Sequence, residues 1–425
     1  MQNYKKTVQE IFDLQIFAIK LGLDNIKYLC NELGNPHTAY PVIHVAGTNG
    51  KGSTSFFIAT ILQAMGLKVG LFTSPHLVDF RERITVNGQK IDKNFILSFW
   101  AEQKEHILHR KATFFDTTTA LAFSYFMEKR VDVAIIETGL GGRLDSTNIV
   151  KPRIAVITPI HFDHEKQLGN SLAQIAEEKA GIIKPDSVVF SAEQQPEALA
   201  VLQNKLQATN KFIYLPEAAD YTSRDQNLEH SLFDLHDIQR DTVYDSVKSL
   251  QLGSIQTENQ ALAYLVSREY LGQHSLPFSE HKFRKALAEH IWPGRLQRIS
   301  KNPTVFFDVS HNIIGIRRTL EFLNTNIERE KLQVLVGLVE DKDHLAIAKV
   351  LTQYAARITI TEPDSHRSLK AEIFYNSFEG TGNTPAIIKD LSDAYETSLE
   401  ELIPGNVLLV IGSHYLIGSL LAGLN

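Results

Sequence analysis

The stretch Gly47-Thr48-Asn49-Gly50-Lys51-Gly52-Ser53 decides how the rest of the chain is read. It follows an apolar run, Pro41-Val42-Ile43-His44-Val45-Ala46, and opens a helix-like run from Ser53 to Met65. Strand, glycine-rich turn and helix bring backbone N–H groups and a helix N-terminus onto one anion, a ready cradle for phosphate. Lys51 places a point charge where β- and γ-phosphates would lie, and Ser53 offers a hydroxyl to phosphate or metal. The spacing departs from the commonest phosphate loop: Val45 replaces a glycine, and Gly52 separates Lys51 from Ser53. The competing reading is a glycine turn between two core elements with a solvated lysine. The strand–helix setting favours the nucleotide.

Outward from this loop the chain alternates short apolar strands with helices. Two helical segments precede it, and strands are expected at Leu67–Phe72, Val131–Ile136 and Ile154–Thr158. Asn87-Gly88 marks a tight hairpin within Ile84–Ile91, and Asp92 is placed to cap the next helix. Helices are expected at Thr117–Lys129, at Ser171–Ala180 with a stop at Gly181, and at Asn259–Tyr270. Residues 221–253 are more polar, with strand-like pieces in no clear order. Ile291-Trp292-Pro293-Gly294-Arg295 breaks the rhythm, after which strands recur near Val305–Asp308, Gln333–Gly337, Ile358–Thr361 and Val407–Ile411. The pattern predicts an α/β protein of two domains: residues 1–293 with the phosphate loop on a mainly parallel sheet, and a smaller α/β domain over 294–425. Ligands of such sheets bind beyond the carboxyl ends of the strands. The Gly47–Ser53 loop, Ser74, Glu137 and Asp308 all fall there.

The 425 residues are 43% hydrophobic and 22% charged, the balance of an ordinary soluble protein. A net charge of −6 argues against a general nucleic-acid or membrane-surface binder while leaving room for a local anion site. The single cysteine, Cys30, shares an apolar helix face with Ile26, Leu29 and Leu33 and reads as core. The first residues lack the apolar core of a signal peptide, and no run is long enough to span a bilayer, so a cytoplasmic protein is expected.

Several side chains carry chemistry beyond the loop. Glu137 ends a buried strand and faces the loop, a placement that suits Mg²⁺ held by oxygen ligands and nucleotide phosphates; the alternative is a surface charge at a strand end. Ser74 after the second strand offers another hydroxyl. His161-Phe162-Asp163-His164 reads equally as a metal site or as surface histidines. Lys179, between glutamates and Gly181, reads from spacing alone as a solvated helix lysine. Asp308 could accept ribose hydroxyls with His311 near phosphate, or the segment could be a plain helix cap.

Taken together, these motifs resemble the folylpolyglutamate synthase and dihydrofolate synthase family, within the Mur-type ATP-dependent amide ligases. The matching segments are the phosphate loop, Thr73–His76 with Phe80–Ile84, Glu137–Asn148, Glu178–Lys184 and Gly412–Tyr415, in the family's order. The resemblance implies that Asn49, Gly50, Lys51, Gly52 and Ser53 bind ATP with Asn259, Arg295 and Asp308. It implies Mg²⁺, as two ions, on Ser74, Glu137, His164 and Lys179, with Lys179 carried as a carbamate. Lys51, His164, Lys179 and His311 are the implied catalytic groups. Thr113, Phe114, Phe115 and Asp116, with Leu144, Asp145 and Ser146, fall where bifunctional members hold dihydropteroate. Asp116 replaces the more usual glutamate, and Asp308-Val309-Ser310-His311-Asn312 replaces a form with Gly-Ala after the aspartate. The implied activity is ATP-driven ligation of L-glutamate to dihydropteroate and to reduced folates by a monomer. Alternatives are a folylpolyglutamate synthase only, or an ATP-binding switch that ligates nothing.

Overall fold

The computed structural model describes residues 2–17 and 22–424. Its first sheet has eight strands: β1 (Val42–Ala46), β2 (Val69–Phe72), β3 (Ile84–Val86), β4 (Gln89–Lys90), β5 (Val133–Glu137), β6 (Ile154–Ile157), β7 (Val188–Ser191) and β8 (Lys211–Tyr214), in the order β4-β3-β2-β5-β1-β6-β7-β8. Only the pairings β2–β3 and β3–β4 are antiparallel; the rest are parallel. Strands covered on both faces need apolar side chains throughout, and all five residues of β1 and of β5 are buried. After β1 the chain crosses to β2 on one side, while β6 lies on the other. That reversal opens a crevice at the carboxyl end of β1, where a ligand binds in such sheets. The register aligns Val45 with Glu137 and Ala46 with Ile157, so the phosphate-type loop, Glu137 and the segment after β6 emerge side by side.

The helix Lys51–Ala64 continues from the loop and is buried on most sides, between the sheet and the helices Ser254–Gln273 and Glu280–Glu289. A helix apolar all round belongs in an interior; each fully buried Phe or Ile such as Phe57 or Ile61 contributes about 1.5–3 kcal/mol. The polar stretch 221–253 forms a separate antiparallel sheet, β9 (Ala219–Gln226), β10 (Ser231–Asp237) and β11 (Thr242–Ser249), ordered β11-β10-β9. Phe233, Leu235, Tyr244 and Val247 pack from it into the same core.

A third sheet holds β12 (Gln297–Lys301), β13 (Thr304–Asp308), β14 (Leu332–Val336), β15 (Arg357–Ile360), β16 (Ala386–Ile387) and β17 (Val407–Ile411), in the order β12-β13-β17-β14-β15-β16. It is parallel except for the β12–β13 pair, giving the smaller α/β unit expected after the Trp292–Gly294 turn.

Local expectations are adjusted in two places. The helix expected from Thr117 begins at Phe114, because Thr113 and Asp116 close a reciprocal capping box. Asp92 occupies the N-cap of the helix Lys93–Arg110 but accepts no backbone N–H there. Its carboxylate pairs with Lys129 at 3.1 Å instead. Cys30 is core, as expected, and burial pushes its thiol up to about 12.

Candidate functional site

The loop after β1 turns sharply because two glycines have no Cβ. At Gly50, φ is +84° and a Cβ would lie 2.5 Å from Asn259 Oδ1; at Gly47 it would lie 1.9 Å from Thr158 Oγ1. Backbone therefore passes where any other residue would collide. The helix starts at Lys51 with Gly50 as its N-cap, leaving its first N–H groups facing the cleft. Lys51 Nζ rests on Thr48 O at 3.2 Å. Asn259 enters from the helix Ser254–Gln273 and accepts from Thr54 Oγ1 at 3.2 Å.

Glu137 stands beside this loop, 4% exposed. Burial pushes its carboxyl up, while Lys51, the Ser74 N–H, Arg295 and Arg83 oppose that shift. The Ser74 N–H donates to Glu137 Oε2 at 3.0 Å. Lys179 is not a solvated helix lysine. It is 4% exposed, and its Nζ donates to Gly47 O at 2.6 Å, under the loop. Burial, with the Lys51 charge nearby, pushes its ammonium down to about 7. His164 has φ +53° at the head of a short helix, with Nε2 3.9 Å from Asp163 Oδ2. Asp163 in turn accepts from Lys342 Nζ of the second domain at 2.9 Å.

The second domain closes the other wall. His311 Nδ1 lies 3.0 Å from Val309 O, and burial holds its imidazole down at about 4, so it is neutral. Asp308 accepts the N–H groups of Leu296 and Ser310, each at 2.7 Å. The helix cap in this segment is Asn312, whose Oδ1 accepts the Gly315 N–H at 2.9 Å while its Nδ2 donates to Asn49 Oδ1 at 2.9 Å. Arg295 faces His414 Nε2 at 3.4 Å, and the charges of Asp308 and Glu137 act on it.

Asn49 to Ser53, Ser74, Glu137, His164, Lys179, Asn259, Arg295, Asp308 and His311 thus line one cleft of about 800 Å³ between the domains. Thr113–Asp116 and Leu144–Ser146 do not line it. Asp116 accepts from Thr113 N and Oγ1 and from Ser146 Oγ, and Asp145 accepts from the Gly139, Leu140 and Thr147 N–H groups. Both carboxylates thus hold their own segments in place, and the dihydropteroate role implied by the resemblance is left to a substrate assay. Asp145 touches the cleft-lining Gly139 and Leu140, and the rings lie close to the cleft too: Phe115 packs under Gly139, and Phe114 stacks at 5.2 Å on Phe12, which lines it. Sequence reasoning gave no role to Lys342, His414, Asn312 or Arg83, although the segments Asp341–Asp343, Gly412–Tyr415 and Phe80–Ile84 were signals that could have found three of them.

Among the described residues no three His, Cys, Asp or Glu side chains cluster as a metal cage. Magnesium does not need one: it is held by one or two carboxylates plus phosphates and water. A buried carboxylate at the loop, with Ser74 held against it through its backbone N–H, fits that demand.

Two domains clasping a phosphate-type loop, with a buried carboxylate on one wall and an arginine on the other, define a nucleotide-dependent ligase cleft. Residues 45–267 match the Mur ligase middle domain and residues 294–414 the Mur ligase glutamate ligase domain. The dihydrofolate synthase/folylpolyglutamate synthase of Bacillus subtilis is 33% identical over 413 residues, covering 95% of this chain and 95% of the relative. Mycobacterium tuberculosis folylpolyglutamate synthase complexed with ADP superposes with a TM-score of 0.90 at 27% identity, covering 100% of this chain and 99% of the other. A complex of FPGS with AMPPCP and folate superposes with a TM-score of 0.86 at 30% identity, covering 99% of each. The chain belongs to the Mur ligase family, and within it to the dihydrofolate synthase/folylpolyglutamate synthase enzymes.

Proposed function

We propose that this protein uses ATP to join L-glutamate to the carboxylate of a folate-type acid, through an acyl phosphate. The observation that carries the reading is the convergence of Lys51 and Glu137 from the first domain with Arg295 and His311 from the second on one cleft. The substrate carboxylate attacks the γ-phosphorus and ADP leaves, giving the acyl phosphate. The glutamate amine then adds to the acyl carbon, loses a proton, and phosphate departs as the amide forms. Lys51 and the N–H groups at the start of its helix balance charge on the transferring phosphoryl group, the main demand of such chemistry. Arg295 adds a second cation from the start of the second domain. His311 and His414, held neutral by burial, serve as hydrogen-bonding groups rather than charges. Closure of the second domain excludes water, which would hydrolyse the acyl phosphate.

Bound magnesium would supply Lewis-acid neutralisation of phosphate charge, with two ions held by Ser74, Glu137, His164 and a carbamate on Lys179. Carbamylation suits a buried amine beside Lys51: it replaces a cation under the loop with an oxygen donor. Among the described residues no helix is long and apolar enough to cross a membrane.

The finer reading is dual substrate use, with dihydropteroate and reduced folate both accepted. Purified protein should release ADP with L-glutamate and either acid. Product from the folate but none from dihydropteroate would reduce the activity to folylpolyglutamate synthesis alone. No ligation with either would remove the ligase reading for this chain.

A further inference from the structure

Arg83 has a free binding end that the chemistry above does not use. It closes the short turn Phe80–Arg83 before β3, and its own carbonyl accepts the Thr73 N–H at 3.0 Å, which fixes it to the Ser74 loop. The side chain is 7% exposed. Its Nε donates to His76 Nδ1 at 2.8 Å, and its guanidinium lies 5.1 Å above the Phe114 ring. The guanidinium is therefore gripped at its inner nitrogen and on one face. The two terminal nitrogens take no hydrogen-bond partner among the described residues, and Arg83 lines the cleft together with Ser74, Glu137 and Tyr415. Burial draws the guanidinium down to about 10, and it still carries its charge at neutral pH.

A planar fork with two free N–H₂ ends matches a carboxylate. The carboxylate that becomes the acyl phosphate must be free to attack phosphorus, so a carboxylate gripped by a rigid fork is a non-reacting one. We propose that the terminal nitrogens of Arg83 bind the α-carboxylate of a glutamate unit in the cleft, and so orient the neighbouring reacting group. This inference rests on the ligation reading above. Two substrates carry such a unit, the incoming L-glutamate and the tail of a folate monoglutamate. Dihydropteroate has no α-carboxylate and separates the two.

The test compares full-length wild type with Arg83→Gln and Arg83→Lys in steady-state ligation. Charge-assisted hydrogen bonds of about 1.5–3 kcal/mol correspond to about a tenfold to hundredfold rise in KM in Arg83→Gln. Its KM for ATP should not change, and Arg83→Lys should recover part of the loss. A rise in KM for L-glutamate with both acceptors assigns the fork to the incoming amino acid. A rise in KM for the folate alone, with the dihydropteroate reaction untouched, assigns it to the folate tail. Unchanged KM values for L-glutamate and folate in Arg83→Gln overturn the proposal. Calorimetric titration with AMPPCP shows whether the variant cleft is intact; where Arg83→Gln fails that control, Arg83→Lys decides by the same KM criterion. A wild type that does not ligate refutes the ligase reading instead, and glutarate binding to wild type and to Arg83→Gln then tests the fork directly: equal affinity overturns it.

Discussion

Glu258 is a buried carboxylic acid whose charge should work against folding. It lies on the helix Ser254–Gln273, 7% exposed, one position before Asn259. Arg318 of the second domain approaches Oε2 to 3.8 Å, too far for a hydrogen bond, and Oε1 has no partner. Burial dominates, Arg318 opposes it, Glu193 adds repulsion, and the carboxyl is pushed up from 4.5 to about 7. Between those two pH values the folded protein keeps a proton that the unfolded chain has lost, so stability falls as pH rises through the window and is level above it. A shift from 4.5 to about 7, at about 1.4 kcal/mol per tenfold, sets a ceiling of about 3 kcal/mol. Relaxation of the site and entry of water around the ionised carboxylate bring the expected cost nearer about 1–3 kcal/mol. Glu258→Gln keeps the shape and removes the ionisation. Urea denaturation of both proteins from pH 5 to 8.5 cancels every other titrating group in the difference. The two should agree near pH 5, and the glutamine protein should be more stable by about 1–3 kcal/mol at pH 8.5. A difference that does not change with pH, or a less stable variant at pH 8.5, refutes the reasoning.

Lys51→Ala should lower ligation by about a hundredfold or more, since a cation aimed at developing charge is removed. Its unfolding midpoint should stay within about 0.5 kcal/mol of wild type, because this side chain contributes little packing; substantial residual ligation would refute the role. Lys179→Ala should be nearly inactive and partly restored by added acetate or formate, small carboxylates that fit the vacated space beneath Gly47 O. Electron density of a nucleotide-bound crystal should show a carbamate on Lys179, and a bare ammonium together with full activity of the alanine protein would end that assignment.

The phosphate loop and Glu137 were legible because their signals are local: an apolar strand, a glycine turn, a carboxylate at a strand tip. Lys179 was not. On its own helix it neighbours Glu177 and Glu178 and reads as surface. It is buried by the Gly47 loop, 132 positions away, and by the close passage of Gly142, where a Cβ would lie 2.9 Å from Lys179 O. The stretch 221–253 resisted placement because β9 carries an extra residue at Arg224 and β11 another between Tyr244 and Val247, which breaks the alternation on those two strands while β10 keeps it. Asp116 carries two signals at once. Thr113-Phe114-Phe115-Asp116 has capping-box spacing, so a local signal of a structural role was present beneath the family resemblance.

Why the site needs two domains follows from the contacts that join them. Lys342 meets Asp163, Asn312 meets Asn49, and Arg318 meets Glu258, all across the cleft and all polar. Apolar contacts join the domains as well: Leu77 packs against the cluster around Leu416 and Ile417, and Leu252 lies in the cluster around Phe306 and Ile316. Each of the three polar contacts falls on or next to a residue of the proposed nucleotide wall: Asn49 in the loop, Asp163 beside His164, Glu258 beside Asn259. A nucleotide bound as proposed would act on groups that also hold the domains together. On the proposed reading, binding would be coupled to the domain contacts through those side chains, and Arg295, at the start of the second domain, already lines the same cleft.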